Sequence, residues 1–225
     1  MRHVAVIIPS FCPPEGLSVL CEELKRQDFQ KILVINDGSP KDYDSIFEAL
    51  NVDLIQSDKN RGKGHAIKLG ISYALKSYTD VSHFIFCDDD GQHAVRDVAR
   101  VAREAVNERR MFILGQRNFP SHTPWKSLLG NVITSLILRF RYGLNAPDSQ
   151  TGLRCVAREL ASQMLTITEE RFGFELKTLI MLHQSSVEIY SVPIETIYYE
   201  GNSRTRFRPI RDSLSVLTIA LGFKR

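Results

Sequence analysis

The run Phe84-Ile85-Phe86-Cys87 leads directly into Asp88-Asp89-Asp90-Gly91-Gln92-His93. Adjacent carboxylates repel one another and hold on to protons unless a cation neutralises them. In an extended segment, side chains i and i+2 point the same way, so Asp88 and Asp90 share a face and Asp89 points away. Oxygen donors of this kind suit Mg2+ or Mn2+, hard cations that keep several waters and bind phosphate at the same time. Gln92 or His93 would complete such a shell. The competing reading is a solvated acidic turn that caps the next helix.

Two further loops carry usable groups. In Asn36-Asp37-Gly38-Ser39 the Asp either accepts from a ribose hydroxyl or a base N–H, or belongs to a plain turn built from turn residues. Asn60-Arg61-Gly62-Lys63-Gly64-His65 combines glycines with cations ahead of a helical pattern, which suits a phosphate at a helix N-terminus. Neither GxxxxGK[ST] nor GxGxxG occurs, which argues against a P-loop and a dinucleotide cofactor.

The elements that must position these loops follow from apolar spacing. Strands are predicted at Val4–Ile8, Lys31–Ile35, Val52–Gln56, His83–Cys87 and Met111–Gly115. Between them, helices are predicted over 15–28, Tyr43–Leu50, Gly64–Ser77 and Val95–Glu108. Such alternation is the signature of an α/β domain with a mostly parallel central sheet and flanking helices. In open α/β sheets ligands bind at the carboxyl ends of the strands, where all three loops fall. Further on, helices are predicted at Leu128–Phe140 and Leu176–His183, and strands at Val187–Val192 and Glu195–Tyr199. The tail Ser213–Phe223 is apolar and ends Lys224-Arg225.

At 225 residues, 43% hydrophobic and 24% charged, the composition is that of one globular domain and excludes disorder, collagen and coiled coil as overall classes. No stretch approaches the ~20 apolar residues of a membrane span, and the start carries no secretory signal pattern. The four cysteines, Cys12, Cys21, Cys87 and Cys155, lack zinc spacing and read as reduced thiols, so a cytoplasmic protein is expected. A net charge of +3 indicates no nucleic-acid partner. Its distribution is uneven: residues 1–110 hold 15 Lys/Arg against 17 Asp/Glu, and residues 111–225 hold 14 against 9. That basic excess is either a solvated face or one that meets phosphates or an anionic membrane. Likewise Trp125, Leu128–Leu138, Arg139 and Arg141 make either an interfacial membrane helix or one packed on the sheet. The residues fix no oligomeric state.

Taken in order, Ile8-Pro9-Ser10, Asn36-Asp37-Gly38-Ser39, Asn60-Arg61-Gly62-Lys63-Gly64 and Asp88-Asp89-Asp90-Gly91-Gln92-His93 resemble the family-two glycosyltransferases of GT-A fold. The branch most similar is that of dolichyl-phosphate mannose synthase and the polyprenyl-phosphate glycosyltransferases. The likeness continues through Gly115-Gln116-Arg117, Asp148-Ser149-Gln150-Thr151-Gly152-Leu153-Arg154, Phe172-Gly173-Phe174-Glu175 and Gly201-Asn202-Ser203. It implies a single GT-A domain over 1–225, with residues 1–115 as the nucleotide-sugar half and 116–225 on the acceptor side.

The resemblance implies that Pro9, Ser10, Asp37 and Lys63 line the nucleotide, and that Asp88, Asp90 and Gln92 hold the metal and diphosphate. Arg117 and Arg154 become cations near the phosphates, and Asp148 a base or acceptor-orienting residue. The 199–208 loop, with Arg206, resembles a segment that closes over the donor. Glu15, within Phe11-Cys12-Pro13-Pro14-Glu15, stands in place of the usual aromatic-Asn-Glu. The implied reaction is inverting, metal-dependent transfer from a UDP- or GDP-linked sugar to a polyprenyl phosphate, at the cytoplasmic face of a membrane. The alternatives are a saccharide or other hydroxyl acceptor, in which case Asp148 is the base, or a nucleotidyltransferase that makes nucleotide sugars. Against the latter, Pro13 and Pro14 lack the backbone N–H groups needed to wrap a triphosphate.

Overall fold

The computed structural model describes residues 1–118, 125–146, 148–171, 173–195 and 197, with the backbone alone for 125–130. The predicted strand at 195–199 lies partly outside these residues, and Arg206, the 199–208 loop and the tail lie wholly outside them.

Seven strands form one sheet: β1 (Val4–Ser10), β2 (Lys31–Asn36), β3 (Asp53–Gln56), β4 (His83–Phe86), β5 (Phe112–Arg117), β6 (Arg154–Ala157) and β7 (Tyr190–Ile194). Their order is β3-β2-β1-β4-β6-β5-β7. β6 runs antiparallel to both of its neighbours, and every other pair is parallel. β1 and β4 are buried along their whole length, which explains the apolar runs Val4–Ile8 and Phe84–Phe86: a central strand is covered on both faces.

The helices are α1 (Leu17–Arg26), α2 (Asp44–Glu48, after a 3-10 turn at Lys41–Tyr43), α3 (Lys63–Ser77), α4 (Val95–Asn107), α5 (Trp125–Tyr142), α6 (Arg158–Met164) and α7 (Gly173–Gln184). Apolar residues of α3, α5, α6 and α7 share one core with Ile7, Leu33 and Phe84. Those of α1, α2 and α4 share another, on the opposite face, with Val6, Val34 and Ile85. Each fully buried Leu, Ile or Phe contributes ~1.5–3 kcal/mol relative to exposure, which makes these two layers the scaffold of the sheet edge.

Sequence patterning misses β6 and α6. β6 pairs His83 with Ala157 and Phe86 with Arg154. Extending that register by two residues sets Asp88 opposite Gly152. A Cβ on Gly152 would overlap the Asp88 carboxylate. That glycine therefore lets the acidic loop lie against the start of β6. The predicted strand at Val187–Val192 starts at Tyr190 instead, because Val187 bonds back to Leu182 in the turn that ends α7.

Candidate active site

Six parallel strands and one antiparallel strand deliver the chemistry to a single edge. The C-terminal ends of β1, β2, β4 and β5 bring Ser10, Asp37, Asp88–Asp90 and Arg117 there, and the N-terminal end of β6 brings Asp148–Arg154.

Lys63, the first residue of α3, is at the centre. Its Nζ lies 2.5 Å from Asp88 Oδ1 and 2.8 Å from Glu175 Oε1. Burial pulls its ammonium down, but the two carboxylates outweigh this and hold its proton more firmly than usual. Burial likewise pushes the Asp88 carboxyl up, yet Lys63 and then His93 overcome it and hold Asp88 far below the usual carboxylate range. Asp90 has no such partner. Its own burial, followed by the charge of Asp88, pushes it up to about 6, against a backbone N–H from Gln92 at 2.9 Å. His93 is buried, and its Nε2 faces Asp88 Oδ2 at 3.5 Å; neither ring nitrogen makes a hydrogen bond. Asp89 turns away and accepts from Ser10 Oγ at 2.7 Å, as the i and i+2 alternation requires.

The loop before α3 is built around Asp37. Buried Asp37 accepts from the backbone N–H groups of Arg61 (3.1 Å) and Gly62 (2.7 Å) and from Asn60 Nδ2 (3.0 Å). Gly62 has φ +114°, and a Cβ there would strike the Glu170 carbonyl, so only glycine turns the chain into α3 at this point. Asp37 therefore positions Lys63 from behind. Burial raises its carboxyl, with the two N–H donors acting against it. Pro9 and Ser10 are buried in β1, where the Ser10 carbonyl accepts from Asp37 N. Glu15 is exposed on the loop before α1. Gln92 adjoins Asp90, and its carbonyl accepts from Ile197 N at 3.0 Å.

Asp148 has no exposed surface. It accepts from Arg117 N (3.0 Å), Nε (2.8 Å) and Nη2 (2.8 Å). A carboxylate bound this way anchors Arg117 and holds its guanidinium in place. Arg154 is placed differently from Arg117. It is buried, and its guanidinium donates to the carbonyls of Thr151 (3.0 Å), Glu175 (2.5 Å) and Ser149 (3.0 Å). Its donors point into the chain rather than toward a ligand, and burial lowers its pKa. It ties the 148–152 turn to α7. Glu175, the clasp on Lys63, carried only a weak sequence signal, namely an acid in the Phe172-Gly173-Phe174-Glu175 motif.

Among the described residues no three His, Cys, Asp or Glu side chains converge into a complete metal cage. Asp88 and Asp90 suit instead a hard cation that takes most of its oxygens from elsewhere, such as a diphosphate and water. A cation there would relieve the repulsion between Asp88 and Asp90 that helps to raise the Asp90 carboxyl.

A glycosyl transferase family 2 model matches residues 5–164. A UDP-N-acetylglucosamine–dolichyl-phosphate N-acetylglucosaminyltransferase of Methanococcus voltae is 26% identical over 222 residues, covering 88% of this chain and 87% of that protein. Human dolichyl-phosphate beta-glucosyltransferase is 21% identical, covering 92% of this chain and 71% of its own. Among solved structures, glucosyl-3-phosphoglycerate synthase of Mycobacterium tuberculosis, in complex with Mn2+, UDP and glucosyl-3-phosphoglycerate, matches with a TM-score of 0.75. It is 15% identical, and the match covers 100% of this chain and 81% of that one. This likeness establishes a GT-A fold, and the bound Mn2+ and UDP belong to that enzyme.

Proposed function

The chain belongs to glycosyl transferase family 2 and is a glycosyltransferase, and on that premise we propose that it moves a sugar from a UDP- or GDP-linked donor to a polyprenyl phosphate, inverting the anomeric centre, with Mg2+ or Mn2+. The observation that carries this reading is the cluster of Asp88, Asp90, Lys63 and Glu175 at the carboxyl edge of the sheet. Asp88 and Asp90, with Gln92 beside them, would hold the metal. A bound divalent cation supplies positive charge to the departing diphosphate. Lys63 adds a second cation on the same side, and Arg117, fixed by Asp148, presents a third. Arg117 is held by Asp148 before substrate arrives, so this cation needs no reorganisation as charge develops. Pro9, Ser10 and Asp37 shape the wall behind the nucleotide, with Glu15 on the loop that follows β1.

The state of Asp148 supports the phosphate acceptor. A hydroxyl acceptor needs a base, and Asp148 is occupied by Arg117. A phosphate acceptor is already anionic, so its oxygen attacks the anomeric carbon as the bond to the diphosphate breaks. A hydrophobic acceptor also suits α5, which exposes Val132, Ile133, Leu136 and Phe140 beside Arg139 and Arg141. That pattern fits peripheral contact with an anionic bilayer. No helix among the described residues is long and apolar enough to cross one.

The test is turnover of UDP- and GDP-sugars by the purified chain with Mn2+ or Mg2+ and undecaprenyl or dolichyl phosphate. Release of nucleoside diphosphate that needs the lipid phosphate and stops with EDTA is expected, with an inverted linkage in the product by NMR. Transfer only to sugars or other hydroxyls would overturn the acceptor assignment.

A further inference from the structure

Each oxygen of Asp88 faces a nitrogen of the chain. Lys63 Nζ lies on Oδ1 at 2.5 Å, His93 Nε2 faces Oδ2 at 3.5 Å, and Gly152 packs beneath the carboxylate. A divalent cation and an ammonium cannot share one carboxylate oxygen without strong repulsion. Lys63, however, has a second anion within reach, since Glu175 Oε1 is only 2.8 Å away. Glu175 is firmly held. It stands in the first turn of α7, its carbonyl accepts from buried Arg154, and Gly64 packs α3 closely against neighbouring Phe174. The ammonium can therefore leave Asp88 without leaving the site.

We infer that Lys63 is a resident counterion that occupies Asp88 in place of the metal, and that Glu175 is the positioning residue that retains Lys63 when metal and diphosphate arrive together. A bare cation must break the Lys63–Asp88 pair and leave the ammonium with Glu175 alone. A cation that comes with a diphosphate supplies new anionic oxygens for the displaced ammonium. Metal and nucleotide binding are thereby coupled through one side chain, and each strengthens the other by the same factor. The site resists filling by metal alone and loads the donor complex as a unit. This inference rests on the assignment of Asp88 as a metal ligand.

The experiment is titration of the full chain with Mn2+ alone, followed by electron paramagnetic resonance or calorimetry, and then with Mn2+ and UDP or GDP. The key variant is the double substitution Lys63→Met/Glu175→Gln, which removes one charge of each sign. The net charge of the site is unchanged, so long-range electrostatics contributes little to any change in Mn2+ affinity. Vacating Asp88 instead predicts tighter binding of bare Mn2+, on the order of tenfold, with a smaller gain from added nucleotide. Bare Mn2+ bound by the double variant no more tightly than by wild type overturns the inference. Glu175→Gln alone keeps the Lys63–Asp88 pair and removes the alternative anchor, so bare Mn2+ should bind more weakly; unchanged affinity there also overturns it and needs no second substitution. The metal assignment fails separately, if Asp88→Asn binds Mn2+ with nucleotide as wild type does.

Discussion

Asp148 and Asp88 stand at the same edge of the sheet and each faces a cation, yet the two pairs are built for opposite ends. Asp148 is sealed from solvent and receives three N–H bonds from one arginine, two of them from the guanidinium. Asp88 is partly open and meets a lysine that is shared with Glu175. A planar fork on a carboxylate fixes both partners, whereas an ammonium is a point charge that changes partners at little cost. The sealed pair forms part of the frame. The shared pair can exchange.

Substitutions at the two pairs should therefore fail differently. Removing the acid beside the shared pair, Asp90→Ala, is expected to lower kcat/KM by ~10³-fold or more. The melting temperature should hold or rise, because Asp90 carries an unfavourably buried charge. Retained turnover with added Mn2+ would break the contrast. Asp148→Asn should lose about 3 kcal/mol in urea unfolding, since it leaves Arg117 without its buried counter-charge. A fully stable Asp148→Asn protein with no activity would return Asp148 to the chemistry.

pH separates the pairs more gently. Asp90 is pushed up to about 6 by burial and by Asp88, so a cation must displace its proton below that pH. Affinity for Mn2+ is expected to fall by about tenfold per unit below pH 6 and to level off above it. The sign for stability is opposite. A carboxyl raised in the folded state makes the metal-free protein lose stability as pH rises from about 4 to 6, and metal should abolish that loss. A pH-independent Mn2+ affinity between 5 and 7 would remove Asp90 from the ligand set. The smallest effect is expected at α5: Phe140→Ser, at a residue 85% exposed, should weaken sedimentation with anionic liposomes about fivefold while stability stays within ~0.5 kcal/mol. Unchanged sedimentation would dismiss this face as a membrane contact.

The parallel half of the fold was legible because strands buried on both faces leave continuous apolar runs, as in Val4–Ile8 and Phe84–Cys87. β6 was not, because its four residues begin with an arginine and follow a polar turn. α5 begins three residues earlier and ends two later than its apolar run predicts, since Trp125-Lys126-Ser127 and Arg141-Tyr142 break the pattern without breaking the helix. At the site, residue type and order put Asp88, Asp90 and Lys63 at one sheet edge, and the structure has them there. They did not separate Arg117 from Arg154. Both are arginines in loops near phosphate-like motifs, and only burial shows that Arg154 spends its donors on carbonyls while the side chain of Arg117 keeps some exposure. Likewise Asp37 carries the sequence of a ligand-contacting turn, and its oxygens hold backbone N–H groups that only the folded loop presents.

The single reversed strand also sets the order in which the sheet can be completed during synthesis. β1 to β4 can pair as soon as they emerge, but the free side of β4 stays open until Arg154–Ala157 arrives. β5 is made earlier than β6, yet it reaches the rest of the sheet only through it. For roughly seventy residues of elongation the nascent chain therefore carries a bare strand margin that includes Phe84, Ile85 and Phe86. Such a margin attracts chaperones and invites pairing with another chain. β6 acts as the closing wedge, and its arrival brings the turn that carries Asp148 and Gly152 beside Asp88, whereas β7 and the Glu175 clasp on Lys63 follow it in the chain and are added last.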